Sequence, residues 1–429
     1  MRPDWESGLR GRIYAFGRRV VPLSWRRAVR RRIRPERLLG LRKPPPVLPS
    51  YPLPDRSPGG PADVLVLPVI AWTYRRQRPQ QLAEALARRG RRVFYGSLAG
   101  EGEPDEPAGV APGVALLPIA GIRREDPADR RLVEPALSRA LAGLEAARAR
   151  FGIADAVLLV QSPFWAPLAV ALRDRFGGTL VYDCLDAHEA FGKNRPGVLA
   201  EAEAALARSA DLVTATSEPL RRRLEQRGAN ARLLPNACDF ARFADVASPP
   251  GRAGALTVGY IGAVDEWFDM PLLDALAARR PGWTFEIVGG VEDAAARPPR
   301  RPNVFFRGER PYAEMPEWHS RFDVEIIPFR LSPLTHATDP VKLYEAAACG
   351  RPVVATPMEA LRPFAERGLV RLADGAEEFA RAIEAAAAGG SESGPRLRAF
   401  ALENTWDVRA AALDGWLTHA GTRGNVGRT

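Results

Sequence analysis

Short apolar segments alternate with amphipathic segments along most of this chain, and this alternation is what most constrains its fold. Residues 63–70, DVLVLPVI, are almost wholly apolar, as expected of a strand that is buried on both faces. Residues 78–90 then show a helical stripe of leucine and alanine, with Pro79 in the first turn and Gly90 at the C-terminal cap. Strands that alternate with helices predict parallel sheets covered by helices.

The alternation forms two series, and a chain of 429 residues is too long for a single compact core. The break between the series is DVASPPGRAGA (245–255), which is rich in Pro, Gly and Ala. We therefore predict an α/β fold of two Rossmann-like doubly wound parallel-sheet domains, residues 62–247 and 255–404, that face each other across a cleft. Residues 405–429 are predicted to form a helix that returns to the first domain, followed by a tail. The apolar positions of this helix are Trp406, Val408, Ala411, Leu413, Trp416 and Leu417.

Residues 1–61 are predicted to be a basic N-terminal extension that ends in a Pro-rich linker (43–61). Residues 1–45 hold 14 basic and 3 acidic residues, so their net charge is +11 and that of the remaining chain is −1. Apolar and aromatic residues alternate with arginines there, which favours binding to an anionic membrane surface. Nucleic acid is a competing partner for such a segment, and a basic arm without any specific partner is a third interpretation. We expect the membrane surface and no nucleic acid.

Several classes of protein are disfavoured by what the sequence lacks. No apolar run reaches the roughly 18 residues that a membrane-spanning helix needs, and the N-terminus lacks the apolar core of a secretory signal. Cys184, Cys238 and Cys349 are widely separated, which fits a reducing cytosol and neither a zinc site nor a disulfide framework. There is no G-x-G-x-x-G after the first strand, no P-loop and no D-x-D pair. NAD-dependent chemistry, P-loop phosphoryl transfer and metal-dependent sugar transfer therefore lose support.

Lys342 is one of only three lysines among 61 basic residues, and it stands at the start of a predicted helix. A buried strand, FDVEIIPF, and a loop precede this helix, in which Thr338 or Asp339 is expected to be the cap and Pro340 the first residue. A lysine in the first turn is unfavourable unless an anion binds there, because the helix N-terminus prefers negative charge. Glu345 lies on the same side of the helix, where its carboxylate can accept two ribose hydroxyls. A weak surface ion pair between the two side chains is the alternative.

Seven segments follow one another in a fixed order within residues 62–420. They are WTYRRQRPQQLAEAL (72–86), VYDCLDAHEAF (181–191), ADLVTATSEPLRRRL (210–224), LPNACDFARF (234–243), GYIGAVDEWFD (259–269), FDVEIIPF (322–329) and DPVKLYEAAACGRPVVAT (339–356). Each segment alone is a weak signal, but their order and spacing together are specific. They resemble the retaining GT-B glycosyltransferases of family 4, and most closely a bacterial subgroup of teichuronic-acid-type glycosyltransferases.

This resemblance implies a GT-B fold whose C-terminal domain binds a nucleotide-activated sugar and whose N-terminal domain binds the acceptor. It implies a hexosyltransferase-type enzyme that acts with retention and needs neither a metal ion nor another cofactor. The expected acceptor is a cell-surface polysaccharide or a glycolipid. With the basic extension, the expected location is the cytoplasm, peripheral on the inner face of the cell membrane.

The sequence departs from the family pattern at two places. Family members commonly carry two glutamates separated by seven residues, and Glu345 matches the second, whereas Ala337 stands at the position of the first. Family members also commonly place an Arg and a Lys after the first strand of the second domain, and the segment GAVDEWFD has neither. We therefore expect Lys342 to supply the charge that holds the diphosphate, and so to take part in catalysis.

Two groups of polar residues in the first domain are predicted to face the cleft. Asp183, Asp186 and His188 follow a buried strand at its carboxyl end, which is where ligands bind in such sheets. We expect Asp186 and His188 to take part in catalysis, although a helix-capping or surface histidine is the alternative. Arg75 and Arg78 open the first helix and are expected, with Asp183, on the acceptor or phosphate side. The alternative is that these arginines are simply solvated.

In the second domain, His336 and Thr338 belong to the loop before the lysine helix, where His336 can donate a hydrogen bond to a phosphate. Asp265 follows the first strand of this domain and can contact sugar hydroxyls, unless it caps the next helix. Trp267 can form a sugar or base platform, although core packing is the simpler interpretation, and Asn236 has a turn role or a ligand role. The expected donor-binding set is Lys342, Glu345, Thr338, His336, Gly262 and Asp265, with no metal ligand.

Two other functions remain open at the level of sequence. A related fold can epimerise or hydrolyse a nucleotide sugar, and a chain without the first glutamate can be a non-catalytic binding or scaffold protein. Release of the nucleotide upon addition of an acceptor distinguishes a transferase from a scaffold. The sequence does not identify the sugar, the base, the acceptor or the oligomeric state.

Overall fold

In the computed structural model, the apolar runs of the first half of the chain form one eight-stranded sheet. Its strands are β1 (Asp63–Leu67), β2 (Val93–Ser97), β3 (Ala108–Ala111), β4 (Val114–Pro118), β5 (Ala156–Val160), β6 (Thr179–Cys184), β7 (Leu212–Ala215) and β8 (Ala231–Leu233). The strand order is β3-β4-β2-β1-β5-β6-β7-β8, and only the edge strand β3 runs antiparallel to its neighbour. Every residue of β1 is buried, as predicted for a strand covered on both faces.

A second, fully parallel sheet of six strands is built from the second half of the chain. Its strands are β9 (Thr257–Ile261), β10 (Thr284–Val288), β11 (Val304–Gly308), β12 (Val324–Ile327), β13 (Val353–Ala355) and β14 (Arg371–Leu372). Their order is β11-β10-β9-β12-β13-β14. Two separate parallel-sheet units confirm the predicted fold class.

Helices connect the strands and cover both sheets. In the first domain they are α1 (Arg78–Arg88), α2 (Ala136–Phe151), α3 (Ala166–Phe176), α4 (Pro196–Ser209), α5 (Glu218–Gln226) and α6 (Phe240–Phe243). In the second they are α7 (Met270–Arg279), α8 (Met315–Ser320), α9 (Pro333–Ala337), α10 (Val341–Ala348), α11 (Arg362–Glu366), α12 (Gly375–Ala388) and α13 (Gly390–Glu403). The C-terminal helix is α14 (Trp406–Gly424).

The structure describes most of the chain, but not the basic segment 1–45, so the predicted membrane contact lies outside the described residues. None of the helices among the described residues is both long enough and apolar enough to cross a membrane. The described ranges are 48–55, 59–98, 102–122, 132–191, 196–245, 255–292 and 298–424.

Each sheet reverses its strand order beside one central strand. In the first domain β2 and β5 flank β1, and in the second β10 and β12 flank β9. Ligands of doubly wound sheets bind beyond the carboxyl ends of strands at such a reversal. The loops that follow β1 and β9 are therefore the places where this fold offers a binding site.

The C-terminal helix α14 packs on the first domain. Its buried residues Trp406, Ala410, Leu413 and Leu417 join the apolar cluster formed by β1, β2 and α1. Arg91 of the first domain also donates to Asp414 of this helix, with Nε 2.6 Å from Oδ1. Three positions of the predicted apolar face do not belong to its buried part, because Val408 is 43% exposed and Ala411 and Trp416 are only half-buried.

The segment before the lysine helix differs from the prediction. Part of the predicted loop is helical, because Ser332 and Thr335 form a reciprocal capping box that starts α9. Helix α10 begins at Val341 with Pro340 in the N-cap position and without a side-chain cap, so neither Thr338 nor Asp339 caps it. The carboxylate of Asp339 instead accepts hydrogen bonds from the backbone of Asn236 and from the hydroxyl of Tyr344.

Candidate active site

Lys342 lies in the first turn of α10, and its side chain points towards the carboxyl end of β9. Its Nζ is 3.3 Å from the hydroxyl oxygen of Tyr260, 4.4 Å from the centre of the Tyr260 ring and 4.8 Å from that of Phe329. Among the described residues no carboxylate forms an ion pair with it. The predicted alternative, a surface ion pair with Glu345, is wrong for two reasons. The two side chains form no ion pair, and Glu345 is not at the surface, since it is only 8% exposed.

Two glycines keep the space around this ammonium open. Gly262 follows β9 with φ +145°, and a Cβ added there would lie 2.7 Å from the Nζ of Lys342. Gly289 follows β10 with φ +146°, and its added Cβ would lie 1.9 Å from the carbonyl oxygen of Gly262. Any other residue at either position would be strained and would collide with its neighbour. The local sequence thus allows the lysine to reach the carboxyl ends of these strands.

Burial lowers the pKa of Lys342 to about 7, although Glu345 and Glu325 partly oppose the shift. A cation that has lost its hydration without gaining a carboxylate partner is costly. An anion bound beside the ammonium would remove that cost. The position of Lys342 therefore favours an anion-binding role, together with the free N–H groups at the start of α10.

Glu345 lies one turn further along α10 and is buried, whereas Lys342 is half-buried. Burial raises the pKa of its carboxyl group to about 7. The hydroxyl of Tyr312 donates to its Oε1 across 3.2 Å. The structure thus places a carboxylate and an ammonium on the same side of one helix, next to the carboxyl end of β9.

Asp186 lies in the loop that follows β6, at the carboxyl edge of the first sheet. Its carboxylate is half-buried and has no hydrogen bond or ion pair to any residue that the structure describes. Burial raises its pKa to about 7, with Arg223 acting in the opposite direction and Asp339 of the second domain adding to the rise. It is the predicted site residue of the first domain with the least satisfied carboxylate.

His188 is buried in the short helical turn after this loop. Its backbone N–H donates to the carbonyl of Asp186 across 2.9 Å, which ties the two predicted residues together. Burial lowers the pKa of the imidazole to about 3, so the ring is neutral near pH 7. His188 therefore favours a role as a neutral hydrogen-bonding side chain over that of a proton-donating imidazolium.

Arg78 and Asp183 form a buried ion pair below the carboxyl edge of the first sheet. Nε of Arg78 is 3.0 Å from Oδ2 of Asp183, and its NH2 is 2.7 Å from Oδ1. Gln161 and Thr214 donate to the same carboxylate. The two side chains are only 3% and 1% exposed, so they join the start of α1 to β6 and present little surface to a ligand.

Arg75 reaches from the first domain to the second. Its guanidinium binds both oxygens of Glu309, at 2.8 and 2.6 Å, and lies 2.7 Å from Glu292. Its side chain is only 21% exposed, so the predicted alternative of a solvated arginine does not describe it. Arg75 therefore bridges the loops that follow β1, β10 and β11.

Helix α9 explains the missing first glutamate. Leu334 and Ala337 belong to the apolar core of the first domain, and Ala337 is only 6% exposed. The hydroxyl of Ser217 donates to the carbonyl of Ala337 across 2.6 Å. A glutamate at position 337 would place a carboxylate in this apolar contact, which costs free energy. The position is a packing site between the domains.

Two other predicted donor residues lie in the same segment. The hydroxyl of Thr338 donates to the carbonyl of Leu334 across 2.9 Å and thereby closes α9. Nδ1 of His336 accepts a hydrogen bond from the backbone of Glu359 at 3.2 Å, which leaves Nε2 as the donor of its neutral ring. His336 therefore retains one hydrogen that a ligand can accept.

The turn after β9 mostly supports α7. Asp269 caps this helix, because its carboxylate accepts from the backbone of Leu272 at 3.0 Å. Asp265 accepts from the backbone of Glu266 across 2.9 Å, within the turn. Phe268 is buried in the core of the second domain, whereas Trp267 packs against the cores of both domains.

Asn236 of the first domain is hydrogen-bonded to Asp339 of the second, close to the point where the chain passes between the domains. Its backbone N–H and its side-chain amide each donate to Asp339 across 2.6 Å. The side-chain amide of Asn236 is thereby committed to the contact between the domains.

Three residues near Lys342 and Glu345 were not predicted from the sequence. Tyr260 contacts the ammonium, Tyr312 contacts the carboxylate, and Gln81 of the first domain donates to the Tyr312 hydroxyl across 2.9 Å. The only available signal for Tyr260 was its place in a strand next to the predicted glycine turn. Within the described ranges, no cluster of three or more His, Cys, Asp and Glu side chains could hold a metal ion.

Comparison with protein-family models gives one match for each domain. Residues 76–237 match a glycosyl transferase 4-like domain, and residues 255–388 match glycosyl transferases group 1. TuaH of Bacillus subtilis (strain 168), which carries the provisional name teichuronic acid biosynthesis glycosyltransferase, is 28% identical over 199 residues. That match covers 41% of this chain and 50% of TuaH, so the chain spans about half the length of this curated relative.

Two solved structures show the same fold at low sequence identity. Sucrose-phosphate synthase from Thermosynechococcus elongatus has a TM-score of 0.68 at 18% identity, over 84% of this chain and 99% of that chain. Anabaena HepE in complex with UDP and glucose has a TM-score of 0.58 at 16% identity, over 83% of this chain and 99% of that chain. This fold and the matches of both domains support the identification of the chain as a GT-B glycosyltransferase.

Proposed function

We propose that this chain transfers a sugar from a nucleoside-diphosphate-sugar to a hydroxyl of a cell-surface polysaccharide or glycolipid, with retention of configuration. The observation that carries the proposal is the Lys342 ammonium, which lies without a described carboxylate partner at the carboxyl end of β9. A diphosphate is the ligand whose charge and size suit an ammonium beside a helix N-terminus. The two family-model matches support transfer of a sugar over other uses of such a ligand.

In this proposal Lys342 and the free N–H groups of α10 hold the diphosphate, while Glu345 accepts the ribose hydroxyls. Gly262 keeps the approach to the ammonium open, and Nε2 of His336 is available to a phosphate oxygen. We propose uridine as the base for a first test, because the similar fold of HepE is described with UDP. The charge of the leaving group is balanced by side chains of the protein, so we propose that no metal ion or other cofactor is needed.

On the acceptor side, we assign to Asp186 the hydrogen bond from the attacking hydroxyl. The bond between the anomeric carbon and the β-phosphate oxygen breaks as the bond to the acceptor oxygen forms on the same face. The proton of the acceptor hydroxyl passes to the carboxylate of Asp186 and from there to solvent, and the nucleoside diphosphate leaves as an anion. Lys342 stabilises the negative charge that develops there, in a site that is already organised for it.

The test is a calorimetric titration with UDP, followed by an assay of UDP release from UDP-glucose and UDP-N-acetylglucosamine. We expect micromolar to millimolar binding of UDP, and release that accelerates when an alkyl glucoside is added as a simple glycolipid mimic. Release that is indifferent to this acceptor would favour hydrolysis. Binding without any release would favour a scaffold, and the absence of nucleotide binding would contradict the proposal as a whole.

The basic segment 1–45 is proposed to bring the enzyme to the inner membrane surface. We expect the full chain to sediment with vesicles that contain anionic lipid and to dissociate as salt rises, because this attraction is screened over about 10 Å at 0.1 M salt. Deletion of residues 1–45 is expected to abolish sedimentation and to leave UDP binding unchanged. Equal binding to neutral and anionic vesicles would rule out the electrostatic account.

A further inference from the structure

A continuous chain of hydrogen bonds runs from the first domain into the carboxylate of Glu345. Nε2 of Gln81, on α1, donates to the hydroxyl of Tyr312 across 2.9 Å. The same hydroxyl donates to Oε1 of Glu345 across 3.2 Å. Gln81 and Tyr312 are 231 positions apart in the sequence, and Tyr312 and Glu345 are 33 apart. This series of hydrogen bonds therefore forms only when both domains are in place.

The orientation of the Gln81 amide determines which group donates in each of these hydrogen bonds. Gln81 is only 5% exposed, and its Oε1 accepts a hydrogen bond from Arg76 across 3.3 Å. Arg76 is itself held by the carboxylate of Glu84. Because the carbonyl of Gln81 is occupied by a donor, its NH2 group is the part that faces Tyr312. The hydroxyl of Tyr312 thus accepts from Gln81 and has its own hydrogen left for Glu345.

The ring of Tyr312 is held in place independently of its hydroxyl. It packs against the edge of Phe243, with ring centres 5.9 Å apart. The guanidinium groups of Arg242 and Arg76 lie 5.4 and 5.8 Å from its centre. Removal of the hydroxyl alone would therefore leave the ring where it is.

We infer that Tyr312 is a positioning residue that holds Glu345 for the ribose and makes this hold depend on the place of the acceptor domain. The inference rests on the proposed function, in which Glu345 accepts the ribose hydroxyls. A carboxylate whose Oε1 is held by Tyr312 presents its other oxygen in a fixed direction. Movement of α1 away from the second domain removes Gln81 and loosens that arrangement, so donor binding and domain closure are coupled.

The experiment compares the dissociation constants of UDP and 2′-deoxy-UDP by calorimetry for the wild type and four variants. In Tyr312→Phe, we expect UDP affinity to fall about tenfold and the preference for UDP over 2′-deoxy-UDP to be largely lost. In Gln81→Leu, we expect a smaller loss of the same preference, because Tyr312 still reaches Glu345. Glu345→Gln serves as the reference for loss of the carboxylate, because it removes the charge and replaces one acceptor oxygen with an NH2 donor.

Tyr95→Phe is the matched control, since the hydroxyl of Tyr95 donates to the carbonyl of Ile70 within the first domain. It removes a tyrosine hydroxyl from the protein, and we expect the preference for UDP to stay at the wild-type value. A Tyr312→Phe protein with the wild-type preference, beside a Glu345→Gln protein that has lost it, would overturn the inference and leave the proposed function intact. An unchanged preference in Gln81→Leu would overturn the coupling to the acceptor domain. A wild type that binds neither nucleotide would overturn both the inference and the proposed function.

Discussion

Lys342→Met is expected to weaken UDP binding by about ten- to a hundredfold and to leave the binding of uridine nearly unchanged. A charge-assisted contact to a phosphate contributes roughly 1.5–3 kcal/mol, and the nucleoside lacks the group that makes it. Methionine keeps the length and apolar character of the lysine stem, so the packing against Tyr260 and Phe329 is retained. Calorimetric titration of wild type and variant with both ligands measures the difference.

The same substitution is expected to stabilise the unliganded protein. The pKa of Lys342 is lowered from 10.5 to about 7, so the folded state binds this proton less readily than the unfolded state. The resulting penalty is fully present below pH 7 and disappears as the pH rises towards 10.5. At pH 7 we expect Lys342→Met to raise the free energy of unfolding by at least about 1 kcal/mol, as measured by urea denaturation.

Lys342→Arg provides the control for charge without the compact ammonium. It is expected to restore UDP affinity only in part, because a planar guanidinium does not fit the narrow space beside Gly262. Unchanged UDP affinity in Lys342→Met would show that Lys342 does not hold the diphosphate. A loss of stability in that variant would mean that the lysine has a structural role.

The sequence was sufficient to predict the two sheets because their strands are buried on both faces and read as continuous apolar runs. It did not predict the antiparallel edge strand β3, since AGVA (108–111) carries too little apolar character to stand out. Helix α9 was also missed, because a helix of five residues has no measurable periodicity. Its start depends on the reciprocal capping of Ser332 and Thr335, which only the local backbone reveals.

The candidate site was predictable only where a single residue contradicted its local environment. Lys342 stood out because a cation in a first helical turn requires an explanation within the helix itself. Tyr312 and Gln81 had no such local signal, since their contacts arise from packing between domains. Arg78 and Asp183, which are 105 residues apart in sequence, were predicted at an open surface but neutralise each other in the interior.

The family pattern alone was misleading about Ala337. Read as a lost catalytic glutamate, it suggested impaired chemistry, whereas the structure shows a small apolar residue that lets α9 dock on the first domain. The segment 337–339, which lacks the carboxylate, is held by two contacts with the first domain. Ser217 donates to the carbonyl of Ala337, and Asp339 accepts from the backbone of Asn236. Lys342 does not replace this carboxylate; we infer that it supplies the positive charge that the segment after β9 lacks.

Asp186→Asn is expected to lower kcat for transfer to an alkyl glucoside by about a hundredfold, while the dissociation constant of UDP stays within twofold of wild type. Asparagine keeps the shape of the side chain but accepts the acceptor hydroxyl poorly, and a mispositioned nucleophile costs about this factor. The unpaired carboxylate of Asp186 lies at the carboxyl edge of the first sheet, whereas Lys342 and Glu345 belong to helix α10 of the second domain. Steady-state UDP release from UDP-glucose measures kcat.

The role of Asp186 also predicts the direction in which kcat changes with pH. The pKa of Asp186 is about 7, so the ionised form needed to accept the hydroxyl is lost as the pH falls below that value. With UDP-glucose at saturation, where the bound diphosphate keeps Lys342 protonated, we expect kcat of the wild type to rise about tenfold per pH unit up to pH 7 and then to level off. We expect this acid limb to be absent in Asp186→Asn. Asp174→Asn is the control, since this exposed carboxylate sits near the C-terminal end of α3, which leads into the amino end of β6. An Asp186→Asn enzyme that keeps both its rate and its acid limb would show that another group orients the acceptor.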